Sequence, residues 1–308
     1  VLYWSAGFLR MGTTSLVAQY YGAKNQRACA HTLFRSLFIA AIIGSFMLFL
    51  GEIWIPMGFN LTGGSPDVQG IGHEYLSVRI FELPIVLVLL AINGFFLGTA
   101  NPIAPLWIAV VANTMNIFGD YVLIYGHWGA PRLGVVGAGL ASVISNVVAL
   151  ILALIIIITK YRTIWHVSFS GFWDRKELLI IFRTNSNLFG RTLCLQFVQF
   201  STLALVSRLG EIPLAANAVI WQLWGLSSFA VDGFAHSAET LIGNLIGEKR
   251  YKETRLLAKR VICWGIFVGS IFGVIFTFFL DPLARLFTVH SDVALLVGSL
   301  WWIVAPMQ

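Results

Sequence analysis

The sequence has few charged residues and few cysteines, and each shortage excludes a class of protein. Only 11% of its 308 residues are charged, 58% are apolar, and the mean hydropathy is +0.82. A soluble domain of this length carries far more charge, so we exclude that class. The three cysteines, an odd number, stand far apart, which excludes a disulfide framework and a metal motif. We expect Cys29, Cys194 and Cys263 to serve in packing.

Enzyme motifs are also missing. The sequence contains no P-loop, no HExxH, no paired cysteines and no Ser-His-Asp order. We therefore predict that the protein is not an enzyme and has no cofactor. Most histidines, His31 among them, stand in loops or near helix ends, where a solvated side chain is the default expectation.

Long apolar segments are what the chain has in abundance. Most reach the ~20 residues that a spanning helix needs. The nine segments lie at 1–20, 36–57, 77–98, 104–126, 134–159, 179–208, 214–246, 261–280 and 294–308. We therefore predict an all-α polytopic membrane protein whose partner is the lipid bilayer. The stretch 58–74 has glycine, proline and no basic residue, which predicts an external loop.

The basic residues alternate between loops. Of 20 Lys and Arg residues, 14 lie around residues 24–35, 160–183 and 249–260. The positive-inside rule places these three loops in the cytoplasm, so the net charge of +6 reflects topology and not nucleic-acid binding. We expect residues 161–178, which mix basic and aromatic side chains, to form an interfacial linker between an N-lobe at 1–160 and a C-lobe at 179–308.

The chain contains an internal repeat. A shift of 225 positions brings five residues near the start onto identical residues, and the order of helices and loops repeats as well. Gly22, Lys24, Arg35, Gly44 and Ser45 fall on Gly247, Lys249, Arg260, Gly269 and Ser270. Repeats of this kind are usual in secondary transporters, with the substrate path between the halves. Because both ends lie inside apolar segments, we expect a fragment of a protein with two bundles of six helices each, truncated in both lobes.

Ionisable residues inside apolar segments cost at least ~2.5 kcal/mol on insertion scales, so each needs an explanation. Asp120 shares one helix face with Asn113 and Asn116, at i, i+3 and i+7. As a carboxylate beside two amides, it is a candidate to bind H⁺ or Na⁺. The alternative is a structural carboxylate that pairs with an arginine. Ser142 and Asn146 form part of a second polar stripe on the next helix.

A second group of polar residues predicts a substrate cavity or a second acidic site. Asp232, His236 and Glu239 are spaced i, i+4 and i+7 on one helix. This arrangement is suited to cation binding or proton relay rather than to zinc. Their alternative role is structural, as helix caps and anchors. The group comprises Asp232, His236, Glu239, Arg191, Gln196, Glu82 and Asn93. Arginines inside helices, such as Arg79, are expected to pair with these acids or with backbone groups at helix breaks.

Several motifs resemble the multidrug and toxic compound extrusion (MATE) family, in its DinF-like branch. The motifs are FLRMGTTSLVAQYYGAKN at 8–25, NxxNxxxD at 113–120, GAGLAS at 137–142, RTLCLQ at 191–196 and NAV at 217–219 followed by DGFAxxxE at 232–239. The resemblance implies a twelve-helix, two-lobe antiporter, of which this chain covers about helix 2 to helix 10. It implies that Asn116 and Asp120 bind the coupling ion, with Ser142 beside them, and that a further essential acid lies on the first helix.

The predicted function is export of amphipathic organic compounds across the plasma membrane by a monomer, coupled to uptake of H⁺ or Na⁺ through alternating access. One alternative is an exporter of organic acids such as citrate, from the same family. Another is a lipid-linked sugar flippase of the same superfamily, which should carry a more cationic cavity. A membrane enzyme or scaffold would require a catalytic cluster or an inert intramembrane face.

Overall fold

The computed structural model describes residues 6–62, 66–166, 170, 172–288 and 290–304. Within these ranges the chain forms twelve α-helices and no strand. The helices are α1 (Gly7–Gly22), α2 (Gln26–Phe49), α3 (Gly51–Thr62), α4 (Pro66–Arg79), α5 (Glu82–Gly98), α6 (Ile103–Tyr125), α7 (Gly134–Lys160), α8 (Arg175–Ser207), α9 (Glu211–Gly247), α10 (Tyr251–Phe278), α11 (Leu280–Phe287) and α12 (Ser291–Val304). Short 3₁₀ helices, His127–Gly129 and Arg162–His166, follow α6 and α7.

Six of the described helices are long and apolar enough to cross a bilayer, namely α2, α6, α7, α8, α9 and α10. A bent pair formed by α4 and α5 would make a seventh span. Large apolar side chains remain exposed on these helices, as on Phe49 and Phe278, which are 84% and 80% exposed. Such surfaces are stable against lipid and not against water. The prediction of an all-α polytopic membrane protein is confirmed.

The external loop predicted at 58–74 is wrong, because most of this stretch is helical. Pro66 is the first residue of α4, where the missing N–H of proline leaves no hydrogen bond unmade. Gly72 lies against the ring of Phe59, and a Cβ there would come within 2.6 Å of that ring. Glycine and proline therefore mark the close packing of α3 on α4 and not an irregular loop.

The helix predicted at 77–98 is broken after Arg79, and its two parts meet at a bend of 54°. Pro84 explains the break, because it has no N–H to donate to the carbonyl of Ile80. Gly44 on α2 lies directly against this bend, and a Cβ there would come within 2.5 Å of the Cα of Pro84. The break places Arg79 at the end of α4 and Glu82 at the start of α5.

The two copies of the repeated turn share one backbone geometry. Lys24 and Lys249 both adopt the left-handed region, with φ of 56° and 62°. In each copy the lysine N–H bonds to the carbonyl three residues earlier, and the next N–H bonds to the carbonyl five residues before it, all at 2.9 Å. This is the Schellman pattern of helix ends. The turn that repeats in the sequence therefore has the same backbone geometry in both copies.

The chain divides into two compact units, residues 1–189 and 190–308, and the boundary falls within α8. In the first unit α5 packs against α1, α2 and α7, and its Ile92, Phe95 and Phe96 are fully buried. In the second unit α9 packs against α10 and α12 around Leu223 and Trp301. The predicted lobe and linker boundaries stay predictions.

The expectations for the cysteines and for His31 are only partly confirmed. Cys29 is buried, with its Sγ 3.7 Å from the carbonyl oxygen of Val17, so its packing role is confirmed. Cys194 and Cys263 are exposed, and the packing prediction is wrong for them. His31 is buried in α2 and not solvated. The common reason is that apolar residues in a membrane protein can face lipid, while polar ones turn inward.

Candidate ion-coupling site

A polar cluster joins α5, α6 and α7 in the first unit. Asn116 on α6 donates an Nδ2 hydrogen bond to Oγ of Ser142 on α7, at 3.3 Å. Asn146, one turn further along α7, donates to the backbone carbonyl of Ser142 at 3.0 Å and to Oε2 of Glu82 at 3.2 Å. These bonds connect the acid at the start of α5 to the amide on α6 through α7.

Glu82 is only 1% exposed, yet both of its carboxylate oxygens have partners. Arg79 Nε donates to Oε1 at 2.6 Å, and Asn146 binds Oε2. The guanidinium of Arg79 also bonds to the hydroxyl of Tyr75 and lies 5.3 Å from the centre of its ring. A carboxylate inside a membrane protein requires such partners. The expectation that Arg79 pairs with an acid is confirmed.

Asp120 lies one turn beyond Asn116 on α6 and has a different environment. Its Oδ1 atom is buried and has no hydrogen-bond partner among the described residues. The helix that carries Arg79, α4, packs on α7 near this position, since a Cβ on Gly139 of α7 would lie 3.3 Å from Val78. Gly119 brings α6 close to α7 at this level, since a Cβ there would lie 2.9 Å from the Cβ of Ala141. A buried carboxylate oxygen without a partner is an open position for a proton or a cation.

In the first unit, the side-chain oxygens of Asn93 and Asn185 are also buried and have no hydrogen-bond partner among the described residues. Asn93 precedes Gly94, which lies against the backbone of α1. Asn185, on the first half of α8, occupies the space above Gly12, where any side chain on residue 12 would overlap it. Asn93 belonged to the predicted polar set, whereas Asn185 did not.

The structure brings together some, but not all, of the residues predicted to bind the coupling ion. It brings Asn116 and Ser142 into contact, and Asp120 lies on the next turn of the same helix. Asn113 is exposed on α6. Glu82 belongs to the predicted substrate cavity or second acidic site. In the structure it is connected to Ser142 through Asn146. This link arises because α5 begins at the break, so that its first residue meets α7.

The other predicted site residues lie in the second unit. Asp232, His236 and Glu239 are all half-buried on α9. On α8, Arg191 is exposed and Gln196 is half-buried. No group of three or more His, Cys, Asp or Glu side chains is placed to hold a metal ion in the part of the chain that the structure describes. The role of these residues stays a prediction.

Sequence reasoning missed one member of the cluster, Tyr75, and one contact. Asn146 belongs with Ser142 to the predicted second polar stripe, but helical spacing does not predict its bond to Glu82. Tyr75 was hidden because the stretch before residue 77 was expected to end a loop. Once α4 is known to be helical, Tyr75 and Arg79 form an i, i+4 pair.

Comparisons with known proteins agree with this architecture. The MatE family model matches residues 1–122 and again residues 188–308, as a chain with an internal repeat requires. DNA damage-inducible protein F of Escherichia coli (strain K12) is 30% identical over 304 residues, which cover 97% of this chain and 65% of that protein. Protein DETOXIFICATION 43 of Arabidopsis thaliana is 28% identical over 237 residues, which cover 76% of this chain and 42% of that protein. The chain therefore spans less than two thirds of these relatives.

Solved structures show the same fold. A crystal structure of MATE in the bent conformation has a TM-score of 0.87 at 22% identity, covering 98% of this chain and 67% of the other. A MOP superfamily transporter from Pyrococcus furiosus has a TM-score of 0.86 at 21% identity, with 99% and 67% covered. With both the family model and the fold in agreement, the chain belongs to the MatE family of transporters, as an integral membrane protein with several spanning helices.

Proposed function

We propose that the complete protein is a cation-coupled efflux antiporter that exports amphipathic organic compounds from the cytoplasm in exchange for H⁺ or Na⁺. Family membership supports transport. An organic cargo is supported by relatives such as the probable multidrug resistance protein NorM of Halalkalibacterium halodurans, 24% identical over 296 residues. The observation that carries the coupling is the Asp120 carboxylate, whose buried Oδ1 has no hydrogen-bond partner in the described chain.

The surroundings of Asp120 suit a small cation. Asn116 directs its amide nitrogen at Ser142, so its oxygen is the atom left to act as a ligand. A proton requires only the Asp120 oxygen, whereas Na⁺ requires several oxygens around it. Either ion neutralises the carboxylate and so removes its attraction to Arg79. This change can favour one arrangement of the protein, because a ligand shifts a conformational equilibrium by its difference in affinity for the two states.

The cargo site is proposed for the second polar set. The half-buried acids of α9, Asp232 and Glu239, offer negative charge for an organic cation, and Gln196 offers a neutral amide. Alternating access would expose this set to one side of the plasma membrane at a time. The two alternative functions are export of organic acids and transfer of lipid-linked sugars. The ethidium experiment that tests drug export also tests these alternatives.

The test is ethidium efflux from a bacterium that lacks its own efflux pumps and expresses the complete gene. Asp120→Asn should abolish coupled efflux, because a neutral amide cannot exchange a proton or hold Na⁺ as a carboxylate does. Thr114→Ala is the matched control, since Thr114 is exposed on the same helix and does not belong to the predicted ion site. A protonophore and the removal of Na⁺ identify the ion. Full coupled efflux by Asp120→Asn would refute the proposal, and no efflux by a well-folded wild type would favour organic acids.

A further inference from the structure

Building on the proposed function, we propose that Glu82 is a positioning residue that holds Arg79 away from Asp120 and so keeps Asp120 available to the coupling ion. Arg79 is a cation tethered to the cluster, and without a competing acid it would occupy the role of the coupling ion permanently. Glu82 is that competing acid. The proposal concerns the charge of Glu82, whose two oxygens are both already hydrogen-bonded.

The geometry of Glu82 supports this division of roles. Its two oxygens receive hydrogen bonds from Arg79 at 2.6 Å and from Asn146 at 3.2 Å, and the side chain is 1% exposed. Each oxygen of Glu82 therefore has a partner already, and one of these partners is a cation that neutralises the carboxylate. Asp120 differs, because its buried Oδ1 has no hydrogen-bond partner in the described ranges. One acid therefore holds the arginine, and the other remains open.

The position of Arg79 allows it to act on both acids. It is the last residue of α4, directly at the 54° bend, and its side chain is 32% exposed, so it is not fixed by packing. Tyr75 and Glu82 hold the guanidinium from two sides. α4 and α6 contact α7 at neighbouring positions, because a Cβ on Gly139 would lie 3.3 Å from Val78 of α4 and Gly119 of α6 lies against Ala141. Removing the negative charge of Glu82 would release the guanidinium from one of its two anchors and leave Asp120 as the other acid of the cluster.

The charged and titratable groups on the adjoining helices divide by exposure. Tyr75, Arg79 and Asp120 are half-buried, whereas His73 and Glu74 on α4 and Tyr121 and Tyr125 on α6 are exposed. α7 adds the neutral Ser142 and Asn146. On α1, the backbone of Arg10 lies against Gly94, far along α5 from Glu82. On α2, Arg35 pairs with Glu177 at 3.7 Å, and His31 lies one turn earlier.

The test compares charge variants in the complete protein, reconstituted in liposomes that carry an ethidium load. In Glu82→Gln the freed Arg79 should hold Asp120 in its charged form, because an opposite charge at ~4–6 Å favours the charged form strongly. Half-maximal transport should then need roughly tenfold more H⁺, a shift of about one pH unit toward acid, or roughly tenfold more Na⁺ if Na⁺ is the coupling ion.

The double variant Arg79→Gln/Glu82→Gln distinguishes this role from a merely structural one. It removes the tethered cation together with the acid that holds it, so the half-maximal ion concentration should return to within about threefold of the wild type. Any charge from other parts of the complete protein is the same in every variant. Arg79→Gln alone leaves a buried carboxylate unpaired and is expected to fold poorly, so it is not used by itself. Arg132→Gln, in an exposed loop, is the control for loss of a positive charge.

The outcomes separate the two proposals. If Asp120→Asn abolishes coupling but Glu82→Gln transports with the wild-type ion dependence, the role of Glu82 is refuted while the proposed function stands. A double variant as impaired as Glu82→Gln, in protein that elutes as a single folded species, also refutes it, because then the loss is structural. If Asp120→Asn itself retains full coupled transport, the proposed function fails first.

Discussion

The close contact between α5 and α1 makes a quantitative prediction about Gly94. Gly94 and Gly98 form a GxxxG pattern on α5, the arrangement that lets helix backbones approach closely in a bilayer. A Cβ on residue 94 would lie 2.6 Å from the carbonyl oxygen of Arg10 and 2.9 Å from Cβ of Thr13. Ordinary contact begins at 3.4 Å, so the two helices would have to separate by about 0.8 Å.

Neither neighbour of Gly94 can give way easily. The carbonyl of Arg10 is backbone and already accepts a hydrogen bond from Oγ1 of Thr14 at 2.8 Å. Thr13 is 1% exposed, and its hydroxyl lies 2.7 Å from the carbonyl of Leu9 and 2.9 Å from Oγ of Ser36. Overpacking of this kind costs about 1–3 kcal/mol. We therefore expect Gly94→Ala to lower Tm by about 2–4 °C for each kcal/mol lost.

Thermal unfolding in detergent, followed by size-exclusion chromatography of the fluorescently tagged protein, measures this effect. Gly265→Ala is the matched control, because Gly265 lies within α10 and a Cβ there meets nothing within 4 Å. That control should be neutral or gain up to about 1 kcal/mol from helix propensity. If Gly94→Ala is as stable as Gly265→Ala, the close packing of α5 on α1 is wrong.

Two further predictions use the internal repeat. Lys24→Gly and Lys249→Gly should each raise the free energy of unfolding by about 1 kcal/mol, because glycine adopts the left-handed conformation without a Cβ penalty. Thermal unfolding measures both variants. A loss of stability in either would contradict the shared turn. Arg35→Ala should cost about 2–3 kcal/mol, since Arg35 is 2% exposed and its Nε donates to the carbonyl of Phe172 at 2.8 Å. Arg260, which matches Arg35 in the internal repeat, is exposed, so Arg260→Ala should change the free energy of unfolding by less than about 0.5 kcal/mol. Equal losses of stability in Arg35→Ala and Arg260→Ala would refute this difference.

Much of the architecture could be predicted from sequence because a bilayer imposes simple rules. Apolar length identified the spans, and identity at a fixed shift identified the repeat, whose turns at Lys24 and Lys249 then proved alike. Helical spacing places Asn116 and Asp120 on one face, and the structure shows Asn116 in contact with Ser142. These predictions rest on local periodicity, which survives in the folded protein.

The rest depended on tertiary contacts that have no local signal. Pro84 could have been a kink or a helix start, and only the packing of Gly44 against it shows how closely α2 approaches the bend. Because the break lies between Arg79 and Glu82, the acid reaches Asn146, which no spacing rule within one helix predicts. The loop predicted at 58–74, which contains Gly72, is wrong for a related reason. Glycine is common both in loops and at close helix contacts, and sequence alone does not distinguish the two.

The most direct test of the central claim is ion-driven transport by the purified complete protein in liposomes. A pH gradient or a Na⁺ gradient is imposed separately, and ethidium movement against its own gradient is recorded for the wild type, Asp120→Asn and Thr114→Ala. The account predicts that one of the two gradients drives transport in the wild type and in Thr114→Ala, and that neither drives it in Asp120→Asn. Gradient-driven transport at the wild-type rate by Asp120→Asn would contradict the account.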